Sequence, residues 1–215
     1  MRNPTDNPVA PSKEDIRALP AFEGLELEDI RVVASAGEAD VAWVELNAVD
    51  VCGFDTESKP IFESGQVSDG PHVIQLATST KAWVIQLRDH ACIDVARRLL
   101  MLHGIRKVGF GLREDCRRIA IKLNVHGVNT FDLDEEFRQR GYRQTIGART
   151  AVAIALNQQL RKGGVQKSDW SRKHLTDAQI RYAANDAYAA VAVYNALIRG
   201  HKRAPAQVSG ARRET

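Results

Sequence analysis

The chain is expected to fold as an α/β domain, a mixed β-sheet flanked by helices with a helical C-terminal half. Across residues 30–131, short apolar runs alternate with stretches of helical period, the pattern of a sheet whose strands are linked by helices. Within that pattern, residues 72–77 and 82–87 are apolar runs joined by Thr78-Ser79-Thr80-Lys81. They form a hairpin, which makes one strand pair antiparallel and the sheet mixed. From residue 132 onward the chain reads as helix.

Residues 1–20 are rich in proline and asparagine at their start and are expected to be a loosely ordered leader. Residues 30–34 form a first strand, and residues 37–46 a helix with Ala39, Trp43 and Leu46 at helical spacing. Residues 49–57 open as a valine-rich run suited to a strand buried on both faces. Residues 58–71, with two prolines and two glycines, are a loop. Beyond the hairpin come a helix over 91–102, a buried strand over 105–110, a helix over 112–123 and a short strand over 127–131. Thr176-Asp177-Ala178-Gln179 has the form of a capping box and starts the last helix. Residues 200–215 are a basic tail expected to fray.

A chain of 215 residues with 44% hydrophobic and 27% charged residues suits one soluble globular domain. No run is long enough to span a membrane, and the first 13 residues lack the apolar run of a signal peptide. The three cysteines, Cys52, Cys92 and Cys116, lie far apart without Cys-x-x-Cys spacing. They indicate neither a disulfide framework nor a zinc site, and reduced thiols point to a cytoplasmic protein. Net charge is only +3, yet residues 138–173 hold nine basic residues against the single acid Asp169. Such clustering suits either a polyanion such as a nucleic acid or a solvated helical face.

Asp55 and Glu57 are one residue apart at the end of the valine-rich strand. A strand alternates faces, so both leave on one side and Thr56 on the other. Paired negative charges at a buried strand end call for a compensating cation; an ordinary acidic turn reads the same way from this stretch alone. Asp115 lies at the edge of the apolar face formed by Leu112, Cys116, Ile119, Ala120 and Leu123, where an aspartate also complements the helix dipole. On the last helix, Ile180, Ala183, Ala184, Ala187, Tyr188, Val191 and Tyr194 form the main apolar stripe. Tyr182 and Asp186, four apart, share a second stripe with Ala189 and Val193. An aspartate there needs a partner; the tyrosine alone would also suit a core.

Four segments carry a family resemblance. They are Gly53-Phe54-Asp55-Thr56-Glu57, Val73-Ile74-Gln75-Leu76-Ala77, Val108-Gly109-Phe110-Gly111 through Asp115, and Tyr182-Ala183-Ala184-Asn185-Asp186-Ala187-Tyr188. Together they resemble the three Exo motifs of the DnaQ-like (DEDD) 3′–5′ exonucleases, in the branch of the Werner syndrome exonuclease domain and ribonuclease D. Ser168-Asp169-Trp170-Ser171 is similar to the run before the third motif. Tyr182, four residues before Asp186, resembles the tyrosine subclass. Ser58 stands where relatives often carry a large aromatic.

The resemblance implies an RNase H-like fold over residues 21–199 and hydrolysis of DNA or RNA from the 3′ end to nucleoside 5′-monophosphates. It implies that Asp55, Glu57, Asp115 and Asp186 surround two divalent cations, Mg2+ or Mn2+, with Tyr182 orienting the attacking water. A chain of 215 residues leaves no room for a helicase domain or helical RNA-binding repeats beside such a fold, so a nuclease module alone, or one that borrows processivity from a partner, is expected. The alternatives are a catalytically silent nucleic-acid-binding module of the same fold, and a phosphodiesterase acting on very short oligomers. The full set of carboxylates plus Tyr182 favours the enzyme over the silent module.

Overall fold

The computed structural model describes residues 7–60, 68–161 and 163–199. In chain order the first half forms α1 (Lys13–Arg17), β1 (Ile30–Val33), α2 (Ala36–Leu46), β2 (Val51–Glu57), β3 (Val73–Ala77) and β4 (Ala82–Gln86). There follow α3 (His90–Met101), β5 (Arg106–Gly109), α4 (Arg113–Leu123), β6 (Thr130–Asp132), α5 (Leu133–Gln139), α6 (Ala148–Leu156) and α7 (Asp177–Tyr194). A π-helical turn, Asn195–Arg199, extends α7.

The six strands make one sheet in the order β1-β4-β3-β2-β5-β6. β3 is antiparallel to both neighbours, and Ala77 pairs with Ala82 across the tight hairpin. The β1–β4, β2–β5 and β5–β6 pairs are parallel. Every residue of β3 and β4 is buried, as expected of central strands covered on both faces. On one face Cys52, Phe54, Ile74, Leu76, Trp83 and Ile85 pack with apolar residues of α2, α3 and α4. The other face is covered by α7 together with α5 and α6.

α7 is buried nearly all round, and its enclosed side chains include Ala183, Ala184, Ala187, Ala189 and Ala190. Small side chains let a helix lie close to a sheet. At Gly53 a Cβ would stand 1.8 Å from the Ala187 carbonyl oxygen, so only glycine allows this approach. The capping box at Thr176 is present, with reciprocal bonds to Gln179 of 3.1 and 3.2 Å.

Several boundaries differ from expectation. The last strand begins at Thr130 rather than 127, because Gly127 turns the chain at φ +66°. The C-terminal half is not helical throughout. Gly141 at φ +93° follows α5, and Asn157 at φ 55° caps α6 in the left-handed region, where a helix cannot continue. Within the leader, Lys13–Arg17 form a helix closed by a Ser12–Asp15 capping box. Residues 1–6, part of the 58–71 loop and the 200–215 tail lie outside the described residues. Among the described residues no helix is long and apolar enough to cross a membrane. All three cysteines are free; Cys52 and Cys92 are buried, and Cys116 is half-buried.

Candidate active site

β2 occupies the middle of the sheet, between β3 and β5. Its alternation sends Gly53, Asp55 and Glu57 toward α7, and Cys52, Phe54 and Thr56 toward α4. The contact between Gly53 and Ala187 brings the neighbouring Asp186 over the end of the strand. Asp186 and Glu57 are buried, whereas Asp55 and Tyr182 are half-buried. Burial raises the pKa of the Tyr182 phenol well above the usual range, and the negative charges of Asp186, Glu57 and Asp55 raise it further. Three carboxylates from two elements therefore act on one hydroxyl, and that hydroxyl stays protonated. Trp170, itself fully buried, packs against the tyrosine ring at 6.0 Å between centroids.

Asp115 reaches the same strand end from the opposite face. The Thr56 hydroxyl donates to its carboxylate, while the Thr56 backbone N–H donates to Asp55 Oδ1 at 2.8 Å. Burial raises the pKa of Asp115 despite that hydrogen bond. The turn entering α4 is held by Asp132, which accepts from Gly111 N (3.0 Å) and Leu112 N (2.9 Å). Beside Glu57, Ser58 accepts a hydrogen bond from Arg118 at 3.2 Å. The structure thus gathers Asp55, Glu57, Tyr182 and Asp186 on the α7 side and ties Asp115 to them through Thr56. Among the described residues, no three His, Cys, Asp or Glu side chains close to the spacing of a bound ion. The donor chemistry nevertheless fits a hard divalent cation, which takes carboxylate oxygens.

Residues 30–200 match the model of the 3′–5′ exonuclease family. The chain belongs to the 3′–5′ exonuclease family. The exonuclease/ATP-dependent helicase WRN of Mus musculus is 29% identical over 158 residues, 72% of this chain and 11% of that protein. A relative from Acanthamoeba polyphaga mimivirus is 26% identical over 173 residues. The chain thus spans 42% of the mimivirus relative and 11% of the mouse one. The Nibbler EXO domain of Aedes aegypti superposes with a TM-score of 0.71 at 20% identity, covering 85% of this chain and 94% of that one. Trypanosoma brucei RNase D, solved in complex with RNA U12, gives 0.69 at 19% identity, covering 86% and 64%. These likenesses establish the RNase H-like exonuclease fold.

Two residues of the candidate site are not evident from the sequence. Thr56 reads there only as the spacer between carboxylates, although its position one residue from each is the available signal. Gln75 lies directly opposite Asp55 in the β2–β3 register, is fully buried, and has no hydrogen-bond partner for either amide atom among the described residues. A polar side chain inside an otherwise apolar strand, Val73–Ala77, is its signal. The basic run over 138–173 is spread over α5, α6 and the segments that follow them. Arg138 pairs with Asp134, and Arg140 with Glu136 at 2.7 Å, so part of its charge is neutralised within α5 and its C-cap.

Proposed function

We propose that this chain is a metal-dependent 3′–5′ exonuclease that hydrolyses phosphodiester bonds from the 3′ end of DNA or RNA and releases nucleoside 5′-monophosphates. The observation that carries this reading is the enclosed Tyr182 phenol flanked by Asp186, Glu57 and Asp55. Asp55, Glu57, Asp115 and Asp186 would hold two Mg2+ or Mn2+ ions, whose chemistry when bound is to activate water and offset charge on the departing oxygen. In the reaction a water oxygen attacks phosphorus, the bond to the 3′ oxygen breaks, and the proton lost by water is balanced by one gained at that oxygen. Tyr182, held protonated, orients the water by hydrogen bonding and does not serve as a base. Thr56 fixes the Asp55 and Asp115 carboxylates relative to each other. Free, buried thiols support a reducing, cytoplasmic setting.

The test uses 5′-labelled DNA and RNA, each single-stranded and as a 3′-recessed duplex, with Mg2+, Mn2+ or a chelator. A ladder shortening from the 3′ end, absent with chelator and with Asp55→Ala, is the expected result. Retained binding without any ladder would instead make the chain a silent binding module.

A further inference from the structure

β1 ends the sheet. β4 pairs with one side of it, and among the described residues no strand pairs with the other. The N–H and C=O groups on that side are open to a further strand. Between this edge and α2 lies a groove of about 420 Å3, lined by the whole of β1 with Gly37, Glu38 and Val41. α2 buries Ala39, Ala42 and Leu46, yet leaves Val41 46% and Val44 70% exposed. An open strand edge and two bare valines on the adjoining helix thus stand at one place on the surface.

The charges around the groove are self-complementary. Beside β1, Arg31 and Lys81 both pair with Glu45, at 3.1 and 3.3 Å, so two cations share one carboxylate. Toward the start of α2, Glu38 accepts from Ala34 N at 2.9 Å and from the Ser35 hydroxyl at 2.8 Å. Glu38 has no ion pair among the described residues. One end of the groove therefore has positive charge in excess, and the other negative.

We propose that a second copy of this chain pairs antiparallel with β1 about a two-fold axis, continuing the sheet and setting the two α2 helices side by side on one face. A single extended peptide could add a strand, but it would leave the valines of α2 bare; a second copy supplies strand and helix together. The faces of β1 set the register. Arg31 and Val33 point to the α2 side, where they meet Glu45 and the core beneath α2, while Ile30 points to the α7 side. With both α2 helices on one face and most of β1 overlapped, either Arg31 or Val32 must stand opposite its own counterpart. Two arginines directly opposed repel, so Val32 lies on the axis. Ala34 of the copy is then opposite Ile30, which brings the copy's Glu38 beside Arg31, and symmetry repeats the pair.

The experiment measures mass by sedimentation equilibrium from about 1 μM to 1 mM, for the full chain, Arg31→Glu, Glu38→Arg and an equimolar mixture of the two variants. Wild type is expected to associate to a dimer. Each variant alone opposes like charges at both symmetry-related contacts and is expected to dimerise roughly tenfold more weakly. The mixture restores both pairs and is expected to recover the wild-type association. Both positions are exposed, so an unchanged Tm in each variant is the expected check on folding. Val32→Cys decides the matter should a charge variant misfold. Opposed Cα atoms in an antiparallel pair lie about 4.5–5.5 Å apart, within disulfide reach, so oxidation is expected to give a covalent dimer that wild type does not form. A chain that stays monomeric throughout the range overturns the proposal and leaves the edge to a strand of another protein. So does a dimer that neither charge variant weakens, or a Val32→Cys variant that cross-links no faster than wild type.

Discussion

At the residue scale, Thr56 has a role out of proportion to its size. It separates Asp55 from Glu57 onto one face and touches both Asp55 and Asp115 itself. Its hydrogen bond favours the ionised form of Asp115, while burial opposes that form. Thr56→Val removes the favourable contribution, so the Asp115 pKa rises and the acidic limb of the pH–rate profile is expected to move to higher pH. An unmoved limb would detach Asp115 from the rate. Tyr182 behaves differently, because its raised pKa keeps it neutral through any ordinary assay. Tyr182→Phe is therefore expected to lower turnover by a factor that is constant between about pH 6 and 9, with metal affinity unchanged. Gln75 gives a third expectation. A buried polar group without a partner costs about 1–3 kcal/mol, so Gln75→Leu is expected to raise Tm. A simultaneous fall in activity would show that the amide serves the neighbouring Asp55 carboxylate. The paired Asp55 and Glu57 and the four-residue spacing of Tyr182 and Asp186 are legible in sequence because they are local. The bonds of Thr56 and Asp132, and the place of Gln75 opposite Asp55, depend on strand register and on contacts with residues distant in the chain, which no local pattern reveals.

At the element scale, the decisive contact is that of α7 against β2. Gly53→Ala places a methyl group 1.8 Å from the Ala187 carbonyl oxygen. The helix must then lift, at a cost on the order of 1–3 kcal/mol. The expected outcome is a lower Tm and loss of activity together, since Asp186 and Tyr182 move with the helix. A fully active, equally stable Gly53→Ala variant would contradict this packing. β3 and β4 were readable as elements because each is a short, mostly apolar run of five residues bounded by turn signals. The breaks after α5 and α6 were not, because the Leu, Glu, Gln and Arg residues of α5 and the alanines of α6 favour helix, while Gly141 and Asn157 take left-handed backbone instead.

At the scale of the whole molecule, the pH dependence of stability has an identifiable contributor in Lys107. This lysine is fully buried, and its ammonium donates to the Leu100 and Leu102 carbonyl oxygens at 3.2 and 2.7 Å. Burial lowers its pKa from 10.5 to about 8. The folded chain then binds that proton less tightly than the unfolded one, so its contribution to stability grows as pH rises from about 8 to 10.5 and is lost as pH falls through about 8. Unfolding monitored across that window should show the rise in wild type and a flatter profile in Lys107→Met.

The buried thiols have a further use. Cys52 lies in β2 with its pKa raised to about 12, and Cys92 lies at the start of α3 with its pKa raised to about 11, both chiefly by burial. A thiol that is enclosed and protonated reacts with an alkylating reagent only when its surroundings open. The strand that carries the acidic pair and the helix behind it thus each contain a chemical clock. Comparing their labelling rates would reveal whether the central sheet breathes independently of its outer layer or the whole domain opens at once.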